Sequence, residues 1–219
     1  MTHASEFIVL AVTKVGDKSL VLHTLSPSWG RRSFITGVSR KAPMALFMPL
    51  SVIEGEVTEN PKSDLWRLRE VSAPVPLNGI RNDVRKNTMT LFMSEVLLRT
   101  LRDGANEPGL YDWCRSSILT LDALDSDFAN YHLRFLLEFA GALGFSPSLP
   151  DLAPFAGEYL GVVKQLLTLD EAQSLLIPLT GAQRNAVASL LLDYIGFHTD
   201  TRISVRSLQV LRELYTDNG

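Results

Sequence analysis

Trp29-Gly30-Arg31-Arg32 sets an indole and two guanidinium groups on one tight turn. That pairing suits single-stranded nucleic acid, in which bases stack on a ring at ~1–3 kcal/mol each while cations follow the phosphates. The competing structural reading has Trp29 capping a barrel and the arginines solvating the turn. Other cations recur nearby. Lys14 and Lys18 flank the turn Val15-Gly16-Asp17-Lys18, Arg40-Lys41 fall in a loop, and Arg67 and Arg69 share one side of a strand. A further group, Arg81, Arg85 and Lys86, opens the first helix. Cations at a helix N-terminus oppose its dipole, so this group fits either a binding role or solvation of a linker.

Patterns for covalent chemistry are absent. The chain has no P-loop glycines, dinucleotide fingerprint, His-Glu-x-x-His pair or Gly-x-Ser-x-Gly elbow. Of His3, His23, His132 and His198, His132 lies within a predicted helix and reads as a hydrogen-bonded, partly buried side chain rather than a metal ligand. His198 ends a helix, where a cation meets the negative end of the dipole. Cys114, beside Trp113 and Arg115, reads as a small packed hydrophobe. Asp122, Asp125 and Asp127 form a solvated, helix-capping run without the glycine-bearing loop that calcium requires. No enzyme, cofactor or metal site is expected.

The elements that must position these groups change character near Leu77. Short apolar and β-branched runs separated by turn residues predict strands at Phe7–Thr13, Ser19–Leu25, Arg31–Val38, Leu50–Thr58 and Leu65–Val71. Five short strands in roughly seventy residues suit a small closed barrel, although an open sandwich or SH3-like barrel reads similarly. Ala73-Pro74-Val75-Pro76-Leu77 is a stiff connector, since each proline fixes φ. Beyond it the period becomes helical. Met89, Phe92, Met93, Val96, Leu97 and Thr100 share one face of a helix from Asp83, a plausible N-cap, to Arg102. Further helices are expected from Pro108 to Leu124, from a Ser126 or Asp127 cap to Gly144, from Asp170, from Thr180 to His198 and from Ser204 to Tyr215. Ser146–Pro154, with its three prolines, is expected to be a loop, and Tyr159–Leu167 is a weak segment. The expected architecture is thus a two-domain α+β chain: a five-stranded β-barrel over 1–77 and an all-helical domain over 78–219.

Composition agrees with a two-part reading. The formal net charge is −3. Residues 1–80 hold nine Lys/Arg against seven Asp/Glu, a net +2, so the remainder carries −5. A mildly basic β module is joined to an acidic helical one. No apolar run reaches the ~18–20 residues needed to span a bilayer, and Met1–Glu6 lacks the basic-then-apolar order of a secretory signal. A cytoplasmic location is expected. A lone cysteine provides neither an internal disulfide nor a cysteine zinc cluster.

The residues also resemble a known family. Phe7-Ile8-Val9-Leu10, Gly16-Asp17-Lys18-Ser19-Leu20-Val21, Trp29-Gly30-Arg31-Arg32-Ser33-Phe34 and Gly37-Val38-Ser39-Arg40-Lys41 are similar, in order, to the opening of the RecO recombination-mediator family. Phe47-Met48-Pro49-Leu50, Arg85-Lys86 leading into Leu91–Leu97, Asn130–Leu133, Leu143–Pro147 and the ending from Tyr194 through Leu211 continue the series. Residues 150–180 are not matched. The resemblance implies an OB-fold that binds single- and double-stranded DNA, joined to a helical domain that docks partners. It implies strand annealing and help in loading a RecA-type recombinase onto coated DNA, in a nucleoid-associated setting during repair. The implied partners are a RecR-like protein and the C-terminal tail of the single-strand-binding protein. Some relatives carry a four-cysteine zinc site in the helical domain, which a chain with only Cys114 cannot build. The basic loops are thinner than in richly basic relatives, which points to DNA binding that depends on a partner. The alternative is a non-catalytic interaction scaffold whose OB-like barrel only docks proteins.

The acidic tail of a single-strand-binding protein would need a small apolar pocket rimmed by cations, for which Arg99, Arg102, Arg115 and Arg134 are available.

Overall fold

The computed structural model describes residues 2–38 and 43–216. The chain forms two compact units, Met1–Asn78 with Leu97–Leu119, and Gly79–Val96 with Thr120–Gly219. The change from strand to helix falls at the proline connector, but the packing divides the chain elsewhere, because Leu97–Leu119 packs with the strands.

In the first unit, β1 (Thr2–Val15), β2 (Ser19–Ser26), β3 (Gly30–Gly37), β4 (Val52–Thr58) and β5 (Trp66–Ser72) close into a barrel in the order β1-β2-β3-β5-β4. Antiparallel β1–β4 pairing, from Thr2 opposite Thr58 to Ile8 opposite Val52, shuts it. The β3–β5 seam is parallel and brief, with only Phe34–Trp66 and Ile35–Arg67 in register. Alternation drives Phe7, Val9, Leu20, Leu22, Phe34, Val57 and Leu68 into one core, joined by Phe47 from a 3-10 turn at Met44–Phe47. Strand β1 begins five residues before the expected Phe7 start. Its polar opening residues pair with β4 but bury little, so no apolar alternation marked them.

Gly30 explains why a distant segment joins this unit. Its φ is +56°, and a Cβ there would stand 2.1 Å from the Ala105 carbonyl oxygen. The close approach lets Arg31 N donate to Ala105 O at 2.8 Å and Gly104 N to Arg31 O at 2.7 Å. Glu6 adds a second tie, accepting at one oxygen from Arg115 Nε at 2.8 Å and from the Tyr111 hydroxyl. Burial and the Glu6 carboxylate push the Tyr111 phenol well above its usual range.

The helices are α1 (Asn78–Arg81), α2 (Val84–Thr100), α3 (Leu110–Ala123), α4 (Tyr131–Ala142), α5 (Leu149–Ala156), α6 (Leu160–Thr168), α7 (Glu171–Leu175), α8 (Gly181–Thr199) and α9 (Ser207–Thr216). Asp83 caps α2 as expected, accepting from Arg85 N at 2.7 Å. Asn130 ties the second unit together: its Nδ2 donates to the carbonyls of Leu175 at 3.1 Å and Ile177 at 2.8 Å. Ser207, at the start of α9, donates from N and Oγ to Glu95 Oε2 at 3.0 and 2.7 Å.

Two expectations are corrected. The proline-rich Ser146–Pro154 stretch contains α5, because Ser148 and Asp151 form a capping box and Pro150 sits in the first turn, where a missing N–H costs nothing. Burial of Leu152 and Ala156 then holds the helix. Helix α4 starts at Tyr131 with Asn130 as its N-cap, not at a Ser126 or Asp127 cap. Asp127 has φ +57°, outside the helical range.

Candidate nucleic-acid interface

The open part of the β3–β5 seam makes a groove. Past Ile35 and Arg67 the two strands no longer pair, and the gap is lined by Ser19, Ile35, Thr36, Gly37, Arg67 and Arg69. Arg67 and Arg69 are exposed, on alternate positions of β5. The β1–β2 turn borders the groove, since Ser19 pairs with Gly37 and Lys18 O accepts from Val38 N at 3.1 Å. Lys14 and Lys18 are exposed there. The structure therefore places Arg67 and Arg69 in the groove, with Lys18 in the bordering turn and Lys14 on β1 opposite Leu20. Arg40 and Lys41 lie outside the described residues.

The neighbouring part of the barrel is acidic, with Glu56 in register opposite Arg69. Strand β4 lies furthest from the β2–β3 pair in the closed order, and Glu6, Glu54, Glu56 and Glu70 line a depression across β1, β4 and β5.

The outer face of β2 and β3 carries a polar row. Thr13 Oγ1 lies 3.1 Å from His23 Nε2, His23 Nδ1 lies 2.9 Å from Ser33 Oγ, and Arg31 Nη1 donates to Ser33 Oγ at 3.3 Å. The same Arg31 nitrogen donates to Asp103 Oδ1 at 2.7 Å. Burial, followed by the Arg31 charge, holds the His23 imidazole below its ordinary pKa, with Asp103 opposing. Arg31 is 6% exposed.

The aromatic at the turn follows the structural reading, in which it packs on the barrel. The Trp29 ring stacks on Phe7 at 6.0 Å and meets Phe34 at 5.9 Å and Trp66 at 6.2 Å edge-on. It packs against the barrel core, its amide N–H donating to Ser26 Oγ at 3.2 Å. The Arg32 guanidinium covers Trp66. Trp29 has one face stacked on Phe7, and Trp66 has one face under Arg32.

The cluster at the start of the helical region is held internally. Arg81 Nη1 donates to Asn87 Oδ1 at 3.3 Å, and burial lowers its pKa against the opposing charge of Asp122. Arg85 pairs with Asp83 at 3.1 Å and lies 4.8 Å over Phe128. Burial pushes the Asp83 carboxyl up, but the Arg85 hydrogen bonds and charge outweigh it, and the net shift is downward. Lys86 is 4% exposed and donates from Nζ to Asp122 O at 3.1 Å and to Leu124 O. These are the unpaired carbonyls at the end of α3, where a cation is favoured.

The second unit holds a cleft that sequence inspection missed. Arg184, Asn185, Leu208, Leu211 and Arg212 line it, with His132 at its floor. Arg184 and Arg212 sit on helices α8 and α9, whose pairing no local pattern announces. His132 is 3% exposed, and burial followed by the Arg184 charge pushes it down to about 3. Of the arginines considered earlier, Arg115 is bound to Glu6 and Arg134 donates to Glu138 at 2.7 Å. Cys114 is fully buried, and burial pushes its thiol up to about 12, the opposite of an activated nucleophile. Among the described residues no helix is long and apolar enough to cross a membrane.

The order β1-β2-β3-β5-β4, closed through β1–β4, is that of an OB-fold, whose β2–β3 face and flanking loops serve oligonucleotide-binding proteins. Residues 81–153 match the family model described as "Recombination protein O C terminal". The DNA repair protein RecO of Bacteroides fragilis is 32% identical over 236 residues, which cover 95% of this chain and 97% of that protein. Its namesake from Phocaeicola vulgatus is 29% identical over 234 residues with the same coverage, and that of Flavobacterium psychrophilum is 27% identical over 232. The chain belongs to the RecO family of DNA repair proteins.

Proposed function

We propose that this protein binds single-stranded DNA along the β3–β5 seam, anneals complementary strands and helps load a recombinase onto coated DNA. Exposed Arg67 and Arg69 in an unpaired strand seam carry the reading, supported by exposed Lys14 and Lys18 beside the bordering β1–β2 turn. Cations at such a seam neutralise phosphates and release counterions, so affinity falls as salt rises. With the charge of one strand screened, a second can approach and pair, and double-stranded DNA is held through the same backbone contacts. No covalent step is required.

Lys86 leaves the contact set, because it is buried against internal carbonyls, and Arg31 is held by Asp103 in the free protein. Trp29 leaves it as well, being packed into the barrel. Four fixed cations make a modest electrostatic footprint, which supports binding aided by a RecR-like partner.

The cleft between α8 and α9 supports docking of the C-terminal tail of a single-strand-binding protein. Leu208 and Leu211 line it with apolar side chains, and Arg212 brings charge suited to an acidic peptide, while Arg184 Nη1 donates to Leu179 O at 2.6 Å. The test is oligonucleotide binding and annealing at low and moderate salt, with and without the two partners. Salt-sensitive binding that Arg67→Ala/Arg69→Ala weakens is expected. Absence of DNA binding in every condition, with nuclease-resistant partner capture, would favour the pure scaffold.

A further inference from the structure

Among the described residues, Arg31 is the one buried cation of the barrel strands. Phe34 points inward on β3, so alternation directs Arg31 and Ser33 to the outer β2–β3 face. Yet the Arg31 side chain is only 8% exposed, while the Asp103 side chain bonded to it is 74% exposed. The carboxylate thus links the buried guanidinium to solvent. Arg31 Nε is buried with no hydrogen-bond partner, so the fork is only partly used. Beside it, Ser33 and His23 continue the polar row to Thr13.

We infer that Arg31 is a phosphodiester site on the β2–β3 face, which the Asp103 carboxylate occupies until a nucleic-acid phosphate displaces it. The inference rests on the DNA-binding reading above. A carboxylate oxygen 2.7 Å from Nη1 holds the position a phosphate oxygen would take, with the same charge sign and acceptor chemistry. A planar guanidinium can then offer its remaining N–H groups to a second phosphate oxygen, which matches its fork better than one carboxylate contact does.

Displacement needs little motion. The backbone of the covering segment stays paired with β3 through Gly104 N to Arg31 O and Arg31 N to Ala105 O. Only the exposed Asp103 side chain has to rotate outward. Ser33 Oγ remains to orient the guanidinium. In the free protein Asp103 cancels the Arg31 charge, so the site adds nothing to long-range attraction and acts only on a strand already in place.

The test compares binding of a fluorescent oligothymidylate to wild type, Asp103→Asn, Arg31→Gln and the double variant, across salt, with Asp17→Asn as a control for general charge. Asp17 is exposed in the β1–β2 turn. Asp103→Asn should bind more tightly than wild type or Asp17→Asn, and its log–log salt slope should steepen by up to about 0.7, the single-strand value for one more phosphate contact. In the Arg31→Gln background Asp103→Asn should gain nothing beyond the Asp17→Asn effect. Thermal melts of each variant confirm that folded protein is compared. Equal gains from Asp103→Asn and Asp17→Asn, or a gain that survives Arg31→Gln, would overturn the site while leaving DNA binding intact. No binding by any variant would overturn both readings.

Discussion

The Arg32 guanidinium lies 3.5 Å above the centre of the Trp66 ring, and its Nη2 donates to the Asp64 carbonyl at 3.3 Å. The pair closes the end of the barrel where Trp29, Phe7 and Phe34 meet. Arg32 is thus committed to packing more than to solvent. Arg32→Ala should cost about 1 kcal/mol in chemical denaturation, from lost cation–π contact and stem packing. It should leave the salt slope of DNA binding unchanged. A normal midpoint with a shallower slope would return Arg32 to the phosphate-contacting set.

Gly30 and Ala105 make a second, steric prediction. A methyl at Gly30 meets Ala105 O at 2.1 Å and must also accept φ +56°. Gly30→Ala should therefore destabilise by about 2–3 kcal/mol, combining backbone strain with loss of the flanking hydrogen bonds. Gly16 has φ +70° but open space around it. Gly16→Ala should cost only about 1 kcal/mol. Equal costs in urea titrations would mean that the 103–106 segment does not press on β3.

Lys86 separates a structural cation from a DNA-binding one. Its ammonium serves the carbonyls of Asp122 and Leu124. Lys86→Met should lower stability by about 1–3 kcal/mol, since those buried acceptors lose their donor. DNA affinity of the folded variant should match wild type. A stable variant with weakened DNA binding would contradict the assignment.

Burial makes His132 a source of acid sensitivity. Its pKa is about 3 in the folded protein against 6.5 for the free side chain. Below pH 6.5 the unfolded chain takes up a proton that the folded one refuses, so stability is lost as pH falls through that window toward 3. The slope contributed by one such group approaches 1.4 kcal/mol per pH unit. His132→Gln should flatten the stability profile between those limits. An unchanged profile would place the acid-labile group elsewhere.

Much of the fold was legible because its signals are local. Alternation in Leu20, Leu22 and Phe34 marks strands, and the three- and four-residue spacing from Met89 to Val96 marks a helix. The misses have physical causes. The opening of β1 is polar and half-exposed, so it carries no apolar alternation. The α5 prolines look like breakers unless the Ser148–Asp151 cap is recognised, and the cap works only because Leu152 finds a core to enter. The candidate site was legible by residue type alone. Lys14, Lys18, Arg67 and Arg69 reach solvent, whereas Arg31 meets an aspartate 72 positions away. Lys86 meets carbonyls 36 and 38 positions away. Charge can be counted in a sequence, but what covers it depends on packing between distant segments.

The most direct test of the seam is the salt dependence of single-stranded DNA binding by wild type and Arg67→Ala/Arg69→Ala. Losing two phosphate contacts should lower affinity at low salt and flatten the log–log slope by about 1.4, with the melting temperature little changed because both side chains are exposed. Unaltered affinity and slope in a folded double variant would contradict binding at the β3–β5 seam.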